Sequence, residues 1–445
     1  MRNIKYTFSD FKTWIHGKRV GLAGVGISNS PLIDLLDSCG ATIVARDKKV
    51  PEENILNKLK SVEAEIFTGE DYLKDITEDI VIKSPGIRPD LEEFKNVAVL
   101  TNEMQLFFDV CPAKIIAVTG SDGKTTTTTL ISEILKKAGY NVWLGGNIGT
   151  PLFCKTESIT ENDVVVLELS SFQLMSMTSS PDICIITNVS PNHLDWHTDF
   201  EEYVVAKKNI FKFSDNSIVV LNKDNEITRK MADELSEERV RFFSRKEDAV
   251  DEAICVRGKK ILNRSDIFIP GEHNVENFQA AIAATLDFVL PEHVISVARE
   301  FRGVPHRCEF VREKDGVKYY NSSIDSSPSR TIAAVGVFKS KIIAICGGYD
   351  KNLDYSPLAD VFAQKLKVLI LTGATSQKIY DAVVKVDHDY PIYFEKDLAS
   401  AVKKAHDIST SGDTVVLTPA SASFDAFKNF EHRGNFFKEQ VNNLE

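Results

Sequence analysis

Short runs of Val, Ile and Leu punctuate the whole chain, most of them closing on Gly, Ser, Thr or Asn. "RVGLAGVG", "ATIVARD" and "DIVIKSPG" form a first group; "AKIIAVTGS", "NDVVVLELS", "DICIITNVS" and "NSIVVLN" a second; "SKIIAICGG", "KVLILTGA" and "DTVVLTPA" a third. A strand that is apolar on both faces reads as a parallel strand buried on both faces. Such sheets need helices over both faces, and helical or polar stretches separate the runs, so the fold class is α/β. Three groups predict three α/β domains, which suits 445 residues at about 100–200 residues per domain. Proline-bearing junctions, "DVCPAK" and "FRGVPHRCEF", set the expected domains at 1–111, 112–305 and 306–445.

Composition narrows the function classes. The net charge is −11 without a basic block, which argues against nucleic acid as a partner. No apolar run approaches the roughly 18 residues of a membrane span. The polar N-terminus does not read as a secretory signal. Seven scattered cysteines without a CxxC pair argue against a disulfide framework or zinc site, and for a reducing cytoplasm. A cytoplasmic monomer is the expectation.

In open α/β sheets, ligands collect beyond the carboxyl ends of the strands. In the first domain these ends offer Gly26, Ile27 and Ser28 in "GVGISNS", Asp47 after the next strand, and Ser84 in "SPGI". Ser30 and Pro31 suit an N-cap and a first helical position. The pattern resembles a dinucleotide fingerprint, but Asn29 stands where the third glycine belongs. A nicotinamide dinucleotide, a uridine diphosphate and a ligand-free tight turn all remain open on this evidence.

The second domain is more specific. "IIAVTGSDGKTTTTTLISEIL" runs from strand through a polar turn into a helix. Gly120, Ser121, Asp122, Gly123, Lys124, Thr125 and Thr126 form a phosphate loop: the glycines let amides converge on anionic oxygens, and the helix start favours negative charge. Lys124 can reach the β/γ-phosphates, and Thr125 or Thr126 can ligate Mg²⁺. Val118 occupies the usual first glycine position of the general motif. Glu168 ends a buried strand, His193 follows another, and Lys207 lies on a predicted helix; together they suit one metal-phosphate site. Alone, Lys207 reads as a solvated helix lysine.

The order "TGSDGKTT", "GGNIGTP", "ELSSFQL", "NHLDWH", "AKKNIF", "GEHNVEN" resembles the Mur ligase family of ATP-dependent amide-forming enzymes. The short loop, with Gly120 in place of the missing glycine, is that family's version. The resemblance implies a Rossmann-like N-terminal domain, a P-loop ATPase-like central domain with a mostly parallel sheet, and a Rossmann-like C-terminal domain. It implies ATP and two Mg²⁺ ions, with Lys124 on the phosphates, Thr125 and Glu168 at one Mg²⁺, and His193 at the second. Lys207 would be carbamylated, because a bare ammonium repels Mg²⁺ whereas a carbamate offers anionic oxygens. Asn147 and Ser170 would face substrate, Asn274 and Asn277 the adenine end of ATP, and Arg307 an ATP phosphate.

The C-terminal "LTPASASFDAFKNFEHRGNFF" is similar to the family's D-glutamate-adding branch. It implies UDP-N-acetylmuramoyl-L-alanine and D-glutamate as substrates, in peptidoglycan precursor synthesis. Ser423, Phe430 and Lys351 would hold D-glutamate, with helix-start amides near Ser423, and Ser326 would lie close by. The alternatives are an amide ligase for another amino acid, and a non-catalytic ATP- and UDP-sugar-binding protein. One segment departs from the family pattern. "YYNSSIDSS" carries Ser322 where the family usually has aspartate, and Ile324 where a lysine often stands; Asp325 lies three residues on, in a different direction.

Overall fold

The computed structural model describes residues 6–444. The first sheet is wholly parallel, in the order Glu65–Thr68, Thr42–Asp47, Arg19–Ala23, Ile80–Lys83, Val99–Thr101. The second, also parallel, runs Val240–Phe243, Ile218–Asn222, Ile183–Ile186, Lys114–Thr119, Val164–Glu168, Val142–Gly146. A further sheet runs Glu309–Lys314, Val317–Asn321, Thr414–Leu417, Ile342–Cys346, Leu366–Leu371, Ile392–Phe394, antiparallel only at Glu309–Lys314. Every apolar run named above is one of these parallel strands, and the central ones are buried along their whole length.

Alternation within the short strands explains what the sequence does not announce. A small antiparallel sheet, Ala249–Val250, Ala253–Val256 and Lys259–Asn263, follows the second sheet. Ala253–Val256 alternates buried and partly exposed positions, and Lys259–Asn263 starts on two exposed lysines, so neither has the double-faced apolar signature. Glu309–Lys314 is an edge strand for the same reason.

The helix after "GVGISNS" spans Leu32–Ser38, with Pro31 as its cap and no side-chain capping bond, so it begins one residue later than Ser30 and Pro31 predict. Asn29 explains this. Its Nδ2 donates to Gly24 O at 2.9 Å and Ile82 O at 3.0 Å, so a buried carboxamide pins the turn where a third glycine would open it.

The chain divides into two compact units. One holds residues up to Asp266 together with Val275–Val297, and so contains the first two large sheets. The other holds Ile267–Asn274 and the chain from Ala298 onward. All seven cysteines are thiols, four of them buried.

Candidate active site

Gly26, Ile27, Ser28, Asp47 and Ser84 line one cavity of about 290 Å³, together with Gly24, Lys48, Tyr72 and Ile87. Asp47 does more than face it. Its carboxylate accepts the Val25 and Lys49 amides at 2.8 and 3.0 Å, fixing the turn after the first strand. Gly24 has φ 80°, and a Cβ there would sit 2.4 Å from Ser84 Oγ, so this wall requires glycine.

The phosphate loop follows Lys114–Thr119 and opens the helix Lys124–Lys137. Gly120 has φ 147° and Gly123 φ 77°. A Cβ on Gly120 would meet Thr187 Oγ1 at 1.9 Å, and one on Gly123 would meet Asn277 Oδ1 at 2.4 Å. Asn277 thus braces the loop, and its Oδ1 also accepts the Thr127 hydroxyl at 3.3 Å. Intrahelical bonding begins with Thr127 N–H to Gly123 O at 2.9 Å. The amides of Thr125 and Thr126 precede it and form the anion-binding end of the helix. Lys124 Nζ folds over the loop and donates to Gly120 O and Ser121 O at 3.0 and 2.9 Å.

Ser121 and Asp122 also bond within the protein. The Ser121 amide donates to Asn188 O, and its hydroxyl bonds Ser190 O at 2.9 Å and Tyr203 OH at 3.0 Å. The Asp122 amide donates to Asn188 Oδ1 at 3.0 Å. Both residues use these groups to shape the loop.

Beside the loop, Glu168 closes its strand with 2 % exposure. Its Oε1 accepts Asn147 Nδ2 at 2.7 Å, while Oε2 is buried without a hydrogen-bond partner. An unpartnered buried carboxylate oxygen is costly, and it is the kind of donor a hard cation takes. Lys207 is 1 % exposed, which removes the solvated-helix reading. Its Nζ donates to Gly120 O at 2.8 Å and lies 4.5 Å from the Tyr203 ring centroid. Burial, aided by the Lys124 charge, drives its pKa well below that of a free lysine, favouring the neutral amine.

His193 has φ 55° and packs edge-on to Phe172 at 5.0 Å; partial burial of its ring, then the Lys124 charge, lowers its pKa. Ser170 caps the short helix Ser171–Leu174 in a capping box with Gln173. Among the described residues no cluster of three His, Cys, Asp or Glu side chains forms a ready metal cage. The Glu168 oxygen, the Thr125 hydroxyl and a modified Lys207 nonetheless have the hard-oxygen chemistry that suits Mg²⁺.

A network around this loop is absent from the sequence reading. Arg88, just past "SPGI", donates to Glu202 Oε1 at 2.8 Å and to Trp196 O at 3.0 Å. Glu202 accepts or shares the His197 Nδ1 proton at 3.0 Å, and His197 Nε2 meets Ser171 Oγ at 2.9 Å. The Arg88 bonds hold Glu202 down to about 2. Trp196 Nε1 donates to Gly86 O at 3.0 Å. The segment that walls the first cavity therefore also anchors the loop carrying His193. The available signal was a charged residue directly behind a strand-end turn.

In the other unit, an isolated bridge between Tyr349 and Ala422 joins the segments of Lys351 and Ser423, and Lys351 Nζ lies 5.4 Å from the Phe424 ring. Ser323 Oγ donates to Phe430 O at 2.8 Å, tying the Ser326 segment to the start of the helix Phe430–Asn442. Ser423 is not at a helix start. It lies in a run of turns and its carbonyl accepts the Phe427 amide, while the helix waits for Asn429 as its N-cap. The small and polar residues before Asn429 favour turns over a longer helix. Asn274 Nδ2 donates to Pro270 O at 2.6 Å. Arg307 is exposed in a tight turn.

The geometry is that of a nucleotide-phosphate site with a buried carboxylate positioned for a cation. Two family profiles match: the Mur ligase middle domain over residues 118–285, and the Mur ligase glutamate ligase domain over 306–421. The chain belongs to the Mur ligase family.

Within that family it is 50% identical to the UDP-N-acetylmuramoylalanine–D-glutamate ligase of Clostridium kluyveri, over 99% of this chain and 100% of the relative. The protein of the same name from Ruminiclostridium cellulolyticum is 47% identical over 98% of each chain. Solved structures share the fold. The UDP-N-acetylmuramate-alanine ligase of Thermotoga maritima superposes with TM-score 0.58 at 21% identity, covering 96% of this chain and 99% of that one. The MurF ligase of the same organism, in complex with ADP, gives 0.57 at 18% identity, covering 97% and 96%.

Proposed function

We propose that this protein joins D-glutamate to UDP-N-acetylmuramoyl-L-alanine at the expense of ATP, in cytoplasmic peptidoglycan precursor synthesis. In this reading residues 1–111 hold the UDP end, 112–305 hold ATP, and 306–445 hold the amino acid. The observation that carries it is the pairing of the glycine-walled loop with the half-satisfied Glu168 carboxylate, in a chain related along its full length to ligases of that name.

The substrate carboxylate attacks the γ-phosphorus of ATP, giving an acyl phosphate and ADP. The D-glutamate amine then attacks the acyl carbon, phosphate leaves, and the amine loses a proton. A carboxylate is a poor electrophile, so the first step supplies the leaving group. Lys124 and the amides of Thr125 and Thr126 stabilise charge on the transferring group. Thr125, Glu168, His193 and Lys207 would hold Mg²⁺, which when bound neutralises phosphate charge.

The neutral amine form of Lys207 is the form that adds CO₂, giving a carbamate and a proton. Asn147 holds Glu168 in place. Asn277 packs over Gly123 closely enough to leave no room for a side chain there. Arg307 supplies a cation to ATP phosphate, and Asn274 and Asn277 meet its adenine end. Ser170 meets the acceptor substrate, and Lys351, Ser423, Phe430 and Ser326 meet D-glutamate.

Offering D-glutamate, L-lysine and meso-diaminopimelate side by side with UDP-N-acetylmuramoyl-L-alanine and ATP tests the reading. Product with D-glutamate alone is expected. Preference for another amino acid, or none, would overturn it.

A further inference from the structure

Arg88 stands directly behind the strand-end turn that walls the first cavity, and every N–H of its guanidinium is committed. One edge of the fork, Nε and Nη2, donates to the Asp90 carboxylate at 2.9 and 2.7 Å. The other edge, Nη1 and Nη2, donates to the Glu202 carboxylate at 3.1 and 2.8 Å. The last N–H, on Nη1, goes to Trp196 O at 3.0 Å. A rigid plane with five donors can make this set of bonds, and a lysine ammonium cannot.

Each partner leads to a different part of the metal-phosphate site. Glu202 lies on the helix Phe200–Lys212, which carries Lys207. Its Oε2 also accepts from His197 Nδ1 and from the Thr198 amide, both at 3.0 Å. An ionised carboxylate only accepts, so His197 donates from Nδ1, and its Nε2 receives the Ser171 hydroxyl at 2.9 Å. Ser171 opens the short helix beside Ser170, just beyond Glu168. Trp196 returns to the cavity wall through Nε1, which donates to Gly86 O at 3.0 Å. Phe172 meets both the Trp196 ring and the His193 ring, with centroids 4.5 and 5.0 Å away. Residues 191–195 lie at the surface, so the place of His193 depends on these anchors beside it rather than on a core beneath it.

All of these contacts fall within one compact unit, and Ser84 and Ile87 of the same turn line the first cavity. We propose that Arg88 is a positioning residue that couples the two nucleotide sites: a UDP group seated in the first cavity fixes the 84–88 turn, and through Arg88 the His193 loop, in the arrangement that binds Mg²⁺-nucleotide. The proposal rests on the UDP and Mg²⁺ roles given above to these two sites. Coupling of binding is reciprocal, so Mg²⁺-nucleotide tightens UDP by the factor by which UDP tightens Mg²⁺-nucleotide.

The test is calorimetric titration of UDP with and without saturating Mg²⁺-ADP, and of Mg²⁺-ADP with and without saturating UDP. It compares wild type, Arg88→Met, Arg88→Lys and Arg19→Met, with melting temperatures read in parallel. In wild type each ligand should tighten the other about tenfold, a usual size for such coupling. In Arg88→Met each ligand alone should bind within about threefold of wild type, while the coupling falls close to one. Arg88→Lys keeps the charge without the fork and should lose the coupling too. Arg19→Met removes an ion pair with Glu65 from the opposite end of the same sheet and should keep it.

Wild type without coupling, full coupling in Arg88→Met or Arg88→Lys, or coupling lost equally in Arg19→Met would overturn the proposal. Failure of wild type to bind UDP or Mg²⁺-ADP would overturn it together with the site assignments it rests on. Neither probe is a substrate of the ligation, so coupling that depends on Arg88 upholds the proposal even where no amide forms; absence of ligation then tells only against the proposed function.

Discussion

Replacing Glu168 with glutamine should make the nucleotide-free protein more stable and the nucleotide-bound protein less so. Glu168 is 2 % exposed, with Oε1 on Asn147 Nδ2 at 2.7 Å and Oε2 without a partner. Glutamine keeps the first contact and puts a neutral amide nitrogen, which costs less to bury, in place of the charged, unpartnered Oε2. Leaving such a group unsatisfied costs about 1–3 kcal/mol, and Lys207, pushed toward its neutral form, does little to offset it.

Taking about 2 kcal/mol, the melting transition of this part of the chain should rise by about 4–8 °C. Mg²⁺ and ATP act the other way. At a hundred times its dissociation constant a ligand stabilises by about 2.7 kcal/mol, and glutamine forfeits most of that gain by weakening the cation site. Scanning calorimetry with and without Mg²⁺-ATP reads both effects, and the two curves should exchange order. Glu168→Gln melting below wild type without nucleotide, or gaining as much from Mg²⁺-ATP as wild type, would refute the reasoning.

Lys207→Ala should lose turnover and recover part of it with added short carboxylates; full activity in the variant, measured as ADP release, would contradict a carbamate there. Gly120→Ala should unfold the loop or abolish ATP binding, because its Cβ would lie 1.9 Å from Thr187 Oγ1, whereas Gly26→Ala meets no atom within 4 Å and should shift stability by under about 0.5 kcal/mol in thermal scans. Glu103 gives a pH prediction: burial raises it from 4.5 to about 7, so between those values the folded protein holds more protons than the unfolded chain. Stability should therefore fall by up to ~3 kcal/mol as pH rises through that window, and Glu103→Gln should flatten the fall in unfolding measured at pH 5 and pH 8.5.

The parallel sheets were legible because double-faced apolar runs have few other ways to fold. The cavity residues Gly26, Asp47 and Ser84 were legible because strand ends collect there. Glu168 and Lys207 could be named from order alone, but not the unpartnered oxygen or the burial that give them their chemistry. Ser121 shows the limit of motif reading: it lies inside the phosphate loop, yet its amide and hydroxyl turn inward to Asn188 and Ser190. The Arg88–Glu202–His197–Ser171 network joins residues far apart in sequence, so no local pattern announces it. The resemblance implies helix-start amides near Ser423, but the helix starts at Phe430 with Asn429 as its cap.

The proposed chemistry is tested most directly by ADP release in the presence of ATP, Mg²⁺ and UDP-N-acetylmuramoyl-L-alanine, with and without D-glutamate. Steady ADP release that requires D-glutamate, accompanied by stoichiometric phosphate and amide product, is the predicted result. ADP release indifferent to D-glutamate, or none with all substrates present, would contradict it.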